Sequence, residues 1–527
     1  MCGIIYYTGK QEKEKLTKSL VKIKHRGPDS SEIIMKESGI GFVRLAIMDP
    51  SNKGDQPFQN QLGDVSVTNG EIYNYHELKK SLKEDGIFFS SESDCEVILP
   101  LYRKYGIEGM VRLLDGEYAT IIYDKKESKV LAARDQIGIR PLFYGYQMSN
   151  KKIAFASEVK GLIDTCEKIM PFPPGHYFDG NKFIEYEDIT KVTQKISSEE
   201  EALQKIQELL IKSVTKRLQS DVPIGFLLSG GLDSSLVVSI AKKIGMSKIK
   251  TFAIGMEEDP IDLEYAKYAS EYLNTNHTEV KMSKKDVLMI IPELIKQLET
   301  YDITTIRASI GMYILSKYIR DNTDIKVLIT GEVSDEIFGY KYTDFAPNPD
   351  AFQKESEKRI KELHLYDVLR ADRCIAGNSL EARVPFSDQA FVRMAMSIDP
   401  ELKINNNNMG KHLLRKAFDN GDFLPGKILW RDKEAFSDAV GHSMVDTIKG
   451  FVENEISDSE FKKYQKIYPD VISKESMYYH KIFLSFYPRQ LNLIPGYWMP
   501  NQEWFKEKIN DPSARVLSNY QTKKGKL

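Results

Sequence analysis

The chain lacks most of what would tie it to a membrane, a nucleic acid or an oxidising compartment. It has four cysteines in 527 residues (Cys2, Cys95, Cys166, Cys374), far apart and without metal-ligand spacing. That excludes a disulfide scaffold and a zinc motif and suits a reducing compartment. No apolar run approaches the roughly 18 residues needed to cross a bilayer. The charged stretch from Lys10 to Lys15 arrives too soon for a signal peptide, so none is expected. Neither sign of charge dominates: 74 Lys and Arg stand against 76 Asp and Glu, so no field steers the chain toward nucleic acid or an anionic membrane. The Lys523-Lys524-Gly525-Lys526 tail reads as a solvated end. Internal repeats and low-complexity segments are missing as well. A cytoplasmic protein with small-molecule partners is the expectation.

What is present is ordinary globular material in two textures. A length of 527 predicts two or three domains, and 41% hydrophobic with 28% charged residues leaves ample core. Up to about Tyr186, short strands are joined by turns: Gly3–Tyr7, Asp64–Val67, Tyr118–Tyr123 and Lys129–Ala133. His176–Ile184 reads as a hairpin turning at Asp179-Gly180, and helices are expected near Glu12–Lys24 and Tyr75–Asp85. This half predicts packed, mainly antiparallel sheets flanked by helices. After Thr193 the texture changes. Ser198, with Glu201 three residues on, predicts a capping box, and Leu203, Ile206, Leu210, Val214 and Leu218 follow at helical spacing. Ile224–Leu228, Lys250–Ile254 and Ile325–Ile329 are apolar runs separated by long helical stretches, which predicts a parallel sheet with helices on both faces. From about Asn405 the pattern is helical and then irregular.

The run Ile224–Leu228 leads into Ser229-Gly230-Gly231-Leu232-Asp233-Ser234-Ser235 and then a helix. Glycines at the end of a parallel strand let backbone amides turn toward an anion, hydroxyls add donors, and the helix N-terminus adds positive dipole. The Walker pattern GxxxxGK[ST] is absent, so this is not that class of ATP site. Ser-Gly-Gly-x-Asp-Ser resembles instead the pyrophosphate loop of the ATP-pyrophosphatase superfamily; a bare glycine-rich turn is the bland alternative. Thr251–Gly255 closes the next strand, where an adenine fits the carboxyl edge of the sheet. Thr330-Gly331-Glu332-Val333-Ser334-Asp335-Glu336 closes the third. Its three carboxylates suit holding Mg²⁺ and abstracting a proton, while a solvated acidic turn remains open for Glu336.

The chain opens Met1-Cys2-Gly3-Ile4. Once Met1 is removed, Cys2 carries nucleophile and base on one residue, thiol and free α-amine. With this, the whole chain resembles the glutamine-hydrolysing asparagine synthetases, and its front half is similar to the class II glutamine amidotransferases. The motifs that carry the resemblance in front are Met1–Ile4, His25-Arg-Gly-Pro-Asp29, Arg44-Leu45, Asn69-Gly-Glu-Ile-Tyr-Asn74, Ser93-Asp-Cys-Glu96 and Ala133-Arg-Asp-Gln-Ile-Gly138. Behind the phosphate loop they are Glu299–Ser309, Glu381-Ala-Arg-Val-Pro-Phe386, Lys411-His412, Trp430-Arg-Asp-Lys-Glu434 and Asp511-Pro-Ser-Ala-Arg515. The resemblance implies an α+β front domain over residues 2–190, an αββα sandwich with an N-terminal nucleophile. An α/β domain over 195–527 would follow, with a parallel sheet flanked by helices.

It also implies roles. Cys2 would attack the glutamine side-chain amide, with Asn69 and Gly70 as the oxyanion hole. Arg44 would hold the α-carboxylate, Glu71 and Asp94 the α-ammonium, and Leu45, Ala46, Ile47 and Met48 would line the pocket. His25–Asp29 would close over the substrate, with His25 structural. ATP would lie against Leu227, Ile254, Thr330 and Gly331, its pyrophosphate in the loop from Ser229 to Ser235 (Gly230, Gly231, Asp233 and Ser234 between them). Asp233 and Asp335 would hold Mg²⁺, and Lys433 would neutralise the departing phosphates. Thr304, Thr305 and Arg307 would bind aspartate or its adenylate, and Glu332 would deprotonate ammonia. Ammonia must arrive unprotonated, which implies an internal path. A homodimer through the front domains is what the resemblance suggests.

Three departures stand out: Val333 where glycine is frequent, a loop one residue short after Phe338-Gly339, and Glu92 adding an acid beside the ammonium site. Ala435 and Ala439, beside Lys433, differ too. A related enzyme amidating another carboxylate would share Cys2 and the phosphate loop but lose Thr304-Thr305-Ile306-Arg307, which is intact. An inactive regulatory paralogue usually loses its nucleophile or base, and none of those residues is lost.

Overall fold

The computed structural model describes residues 1–9, 13–258, 261–405, 409–431, 442–513 and 516–521. The front half is two six-stranded antiparallel sheets. One contains β1 (Gly3–Tyr7) and β2 (Gly39–Arg44), in the order Cys166–Pro171, Phe143–Gln147, Ile153–Ala156, β1, β2, Ser30–Met35. The other contains β3 (Val65–Ile72) and β4 (Gly116–Asp124), in the order Phe183–Glu185, His176–Phe178, Lys129–Arg134, β4, β3, Phe58–Gln59. Side chains alternate along a strand. Ile4 and Tyr6, Val65 and Val67, and Ala119, Ile121 and Tyr123 therefore meet between the sheets as one core. The opposite face of β1, Ile5 and Tyr7, packs with Leu16 and Leu20 of the helix Lys13–Lys22. The outer face of the second sheet buries Tyr118 and Ile122 with residues of the helix Ile98–Leu113. The result is helix, sheet, sheet, helix.

The expected hairpin is present: His176–Phe178 pairs with Phe183–Glu185, and Asp179 accepts from the Asn181 and Lys182 amides across the turn. The strand expected to end at Val67 runs on to Ile72, which places Asn69, Gly70 and Glu71 in regular pairing with β4.

The rear half opens with α1 (Glu199–Arg217), which buries Ala202, Ile206, Leu210 and Val214. Ser198 caps it by accepting from the Glu201 amide at 3.3 Å. The expected capping box is only half made, since the reciprocal Glu201 side-chain bond is missing. Behind it lies a parallel sheet containing β5 (Ile224–Leu227), β6 (Lys250–Met256), β7 (Val327–Ile329) and β8 (Glu381–Arg383). Its order is Asn276–Met282, β6, β5, β7, β8. Three helices bring residues to the sites: α2 (Leu232–Lys243) leaves the end of β5, α3 (Ile303–Asn322) precedes β7, and α4 (Asp367–Ala376) precedes β8. The apolar interior is continuous between the halves: Leu45, Ile47 and Ile139 belong to one buried cluster with Ile206, Phe226 and Ile329. No helix among the described residues is long and apolar enough to cross a membrane.

Candidate active site

Cys2 stands at the head of β1, fixed by pairing on both sides of that strand. Its backbone N–H donates to Asn69 Oδ1 at 3.1 Å, and its thiol lies 3.9 Å from the Leu45 carbonyl oxygen. With Oδ1 so engaged, Asn69 Nδ2 is buried and has no partner among the described residues. Leaving a buried donor unmet costs about 1–3 kcal/mol, which marks a place where an acceptor arrives. Gly70 follows with φ +151°; a Cβ there would lie 2.1 Å from the Glu117 carbonyl oxygen, so only glycine lets β3 and β4 close at this point. Burial pushes the Cys2 thiol up, and the adjacent terminal amine opposes that. Met1 is itself buried, with its amine 3.7 Å from Glu381 and lowered to about 6, chiefly by burial.

Arg44 ends β2, but its terminal nitrogens serve the chain. Nη1 donates to the Ser51 carbonyl and Asp55 Oδ1, each at 2.8 Å, and Nη2 to the Met48 carbonyl at 3.2 Å and to that of Asp49. Arg44 thus organises the loop that carries Leu45, Ala46, Ile47 and Met48, and a ligand carboxylate has to share it. Asp94 accepts the Ile72 amide at 2.7 Å and is pushed up by burial. Glu71 is pushed up by burial as well, opposed by Arg383 at 3.2 Å.

Arg383 and its strand neighbour Glu381 come from β8, in the rear half, and sequence reasoning gave them no role. Residues two apart in a strand share a face, and here Glu381 lies 3.7 Å from the Met1 amine and Arg383 lies 3.2 Å from Glu71. Two alternating charges inside an otherwise apolar motif were the available signal.

The second site is a cavity of 230 Å³ at the carboxyl ends of β5, β6 and β7. It brings together Leu227, Ser229, Gly231, Asp233, Ser234, Ile254, Thr304, Arg307, Thr330, Gly331, Glu332 and Asp335. Three expected residues lie outside its lining. Gly230 shapes the turn: at φ +69° it passes so close to the helix Ile261–Leu273 that a Cβ would lie 2.3 Å from the Tyr265 carbonyl carbon. The Ser235 hydroxyl is buried without a partner among the described residues, and Thr305 turns to Asp302, to which its amide donates at 2.7 Å. Lys433, with Ala435 and Ala439, lies outside the described residues.

Asp233 and Asp335 converge on one cation, the buried ammonium of Lys411, which lies 2.8 Å from the first and 2.6 Å from the second and also donates to Ser334 at 3.0 Å. Glu332 is gripped by Arg370 of α4. Arg307 is fully engaged, by Glu475 at 2.8 Å, Asp511 at 3.0 Å and Ser513 at 2.7 Å. Glu336 is no solvated turn residue. Its Oε2 is buried without a partner among the described residues, and burial with Asp367 and Asp335 nearby raises it well above the usual carboxylate range.

A family model described as "Glutamine amidotransferase domain" matches residues 1–206, and one described as "Asparagine synthase" matches 205–355 and 341–492. The chain is 41% identical to a probable glutamine-hydrolysing asparagine synthetase of Acanthamoeba polyphaga mimivirus, over 98% of this chain and 100% of that protein. It is 39% identical to the asparagine synthetase of Zea mays, over 99% and 94%, and 38% identical to that of Cricetulus griseus, over 99% of each. The chain belongs to the glutamine-hydrolysing asparagine synthetase family.

Two expectations drawn from the asparagine synthetase resemblance need correction. Glu92 does not add an acid beside the ammonium site: its side chain is 82% exposed and lies 3.9 Å from Lys79. His25–Asp29 is a junction rather than a closing loop. Arg26 is wholly buried against Asp372, the His25 ring lies 3.1 Å from Gln297 Nε2, and Asp29 receives Lys326 at 2.7 Å.

Proposed function

We propose that this member of the family makes L-asparagine from L-aspartate, ATP and the amide nitrogen of L-glutamine. The observation that carries the reading is the Cys2–Asn69 pair, 3.1 Å apart, on a chain that also holds a cavity lined by the Ser229–Ser234 turn at the end of its parallel sheet. With Met1 removed, the Cys2 amine takes the thiol proton and the sulfur attacks the glutamine amide carbon. Asn69 Nδ2 and the Gly70 N–H receive the developing oxyanion. Collapse returns the proton to the leaving nitrogen, and ammonia and a thioester form; water then releases glutamate. Arg44, sharing its loop contacts, holds the α-carboxylate, and Glu71 and Asp94 hold the α-ammonium.

In the second site the aspartate β-carboxylate attacks the α-phosphorus of ATP, giving β-aspartyl-AMP and pyrophosphate. The turn from Ser229 to Ser234 holds the phosphates, and Thr304 and Arg307 hold aspartate. Ammonia passes between the sites unprotonated and attacks the mixed anhydride, while Glu332 takes its proton. Asp233 and Asp335 fit Mg²⁺: both already converge on a cation, and a phosphate-bound Mg²⁺ needs only one or two carboxylates. When bound, Mg²⁺ neutralises phosphate charge, as Lys433 does from its motif. Four free thiols suit the cytoplasm, and a homodimer through the front halves completes the reading.

The test supplies ATP, Mg²⁺, aspartate and glutamine, with ammonia replacing glutamine in parallel. Asparagine, AMP and pyrophosphate from both nitrogen sources are expected. No asparagine from either source, with ATP still bound, overturns the reading in favour of another carboxylate substrate.

A further inference from the structure

One helix reaches both sites. From α4, Arg370 Nη2 donates to Glu332 in the nucleotide cavity. Two residues on, Asp372 accepts a two-pronged bond from Arg26 of the front half, Nη1 to Oδ2 at 2.8 Å and Nη2 to Oδ1 at 3.0 Å. Residues two apart on a helix point about 200° apart, so a single helix thickness separates the two grips. Arg26 in turn donates from Nε to the Cys2 carbonyl oxygen at 2.9 Å. An unbroken line therefore runs from Glu332 through Arg370, α4, Asp372 and Arg26 to the backbone of the nucleophile.

The line is stiff because its charges are buried. Arg26 is fully buried and Asp372 is 3% exposed. Arg26 also donates to Glu158 at 2.7 Å, Glu158 lies 3.3 Å from Arg373 of α4, and Arg373 donates to Glu299 at 2.9 Å. Moving one member of such a group alone strands a charge in low dielectric, which is costly, so the group shifts as a body. A guanidinium on the Cys2 carbonyl constrains the rotation of that residue, and with it the placement of thiol and amine. Misplacing a reacting group by 1 Å costs about a hundredfold in rate.

We propose that Asp372 is a positioning residue for Cys2, acting through Arg26, and that α4 makes the orientation of Cys2 depend on whether Glu332 is held by Arg370 or turned to the activated aspartate. This rests on the two-site reading above. The glutaminase is then at its best when an adenylate waits, which limits wasted ammonia.

The test uses the full chain with Asp372→Asn. Glutamate and asparagine are counted with saturating ATP, aspartate and glutamine, and asparagine is counted again with ammonia as nitrogen source. Separately, alkylation of the Cys2 peptide by iodoacetamide is timed by mass spectrometry, with and without ATP, Mg²⁺ and aspartate, which form the adenylate when no nitrogen source is supplied. Ammonia-dependent synthesis stays within about twofold of the parent. Glutamine-dependent synthesis falls about tenfold or more, and the ligands no longer change the alkylation rate. Unchanged glutamine-dependent synthesis with the alkylation response intact overturns the proposal. So does an equal loss of ammonia-dependent and glutamine-dependent synthesis, which a merely structural Asp372 would give. Should Asp372→Asn not fold, Arg370→Lys tests the far end of the line. It abolishes the alkylation response if the proposal holds, and a response that persists overturns it. The parent chain's asparagine output from ammonia tests the two-site reading by itself, and the alkylation response needs only the adenylate and no nitrogen transfer.

Discussion

Lys411 Nζ lies 2.8 Å from Asp233 Oδ2, in the place where two carboxylates and a hydroxyl meet at the mouth of the phosphate loop. Its side chain is 2% exposed, so its charge has no recourse to water, and Asp335 at 2.6 Å completes the pairing. An ammonium here balances the carboxylates that are proposed to take Mg²⁺. Lys411→Met leaves them facing each other. In metal-free buffer the variant is expected to lose about 3 kcal/mol, the low end for a broken buried pair because Asp335 keeps contact with water. Mg²⁺ is expected to raise the melting temperature of the variant more than that of the parent chain. An equal rise in both would mean that Asp233 and Asp335 are not a cation site.

Asn69 offers a cleaner separation of the two halves. Its Nδ2 is buried without a partner among the described residues, while its Oδ1 is taken by Cys2. Asn69→Ala is expected to cut glutamine-dependent synthesis about 10²- to 10³-fold, the usual cost of one oxyanion donor. Ammonia-dependent synthesis should be unaffected. If both fall together, Asn69 supports the fold and not the oxyanion.

These residues also show how far the sequence could be read. The nucleophile, the phosphate loop and the alternation of strand and helix announce themselves locally, because each depends on neighbours in the chain. Asn69-Gly70 does not: Asn-Gly is a turn signal, yet here it lies inside β3, opposite Ala119 and Tyr118, since the strand pairing outweighs the local preference. Arg383, Lys411 and Asp372 were legible only as motif members or not at all, because their partners Glu71, Asp233 and Arg26 are separated from them by more than 170 residues. Arg44 and Arg307 look from the sequence like free anion clamps, and only packing reveals that each already has carboxylate partners.

Val333 carries a backbone conformation unsuited to it, φ +80° with a branched β-carbon. That left-handed state costs about 1–2 kcal/mol, which is why glycine fits there easily. Val327 of β7 is just as buried, in an ordinary strand. Both Val→Gly changes lose valine burial, but only Val333→Gly also relieves strain. Val333→Gly is therefore expected to be less destabilising than Val327→Gly by about 1–2 kcal/mol in chemical denaturation. Equal costs would show that no strain is stored beside Glu332.

Asp302 links stability to pH through the helix that carries Thr304 and Arg307. It caps α3, accepting the Thr305 amide at 2.7 Å and the Trp498 amide at 2.6 Å. Burial nonetheless raises it to about 6. The unfolded carboxyl titrates near about 3.9, so between about pH 4 and 6 the folded chain holds a proton that the unfolded chain has released. Its contribution to stability is thus full below the unfolded value and is lost as pH rises through the folded one. Asp302→Asn removes that titration while keeping a capping oxygen. The stability of the variant relative to the parent should therefore climb by about 2–3 kcal/mol between about pH 4 and pH 7. Urea titrations of both proteins across that range measure it. A flat difference would mean that the two amides hold Asp302 ionised throughout, and that the approach of the C-terminal segment at Trp498 stabilises the charge more than burial opposes it.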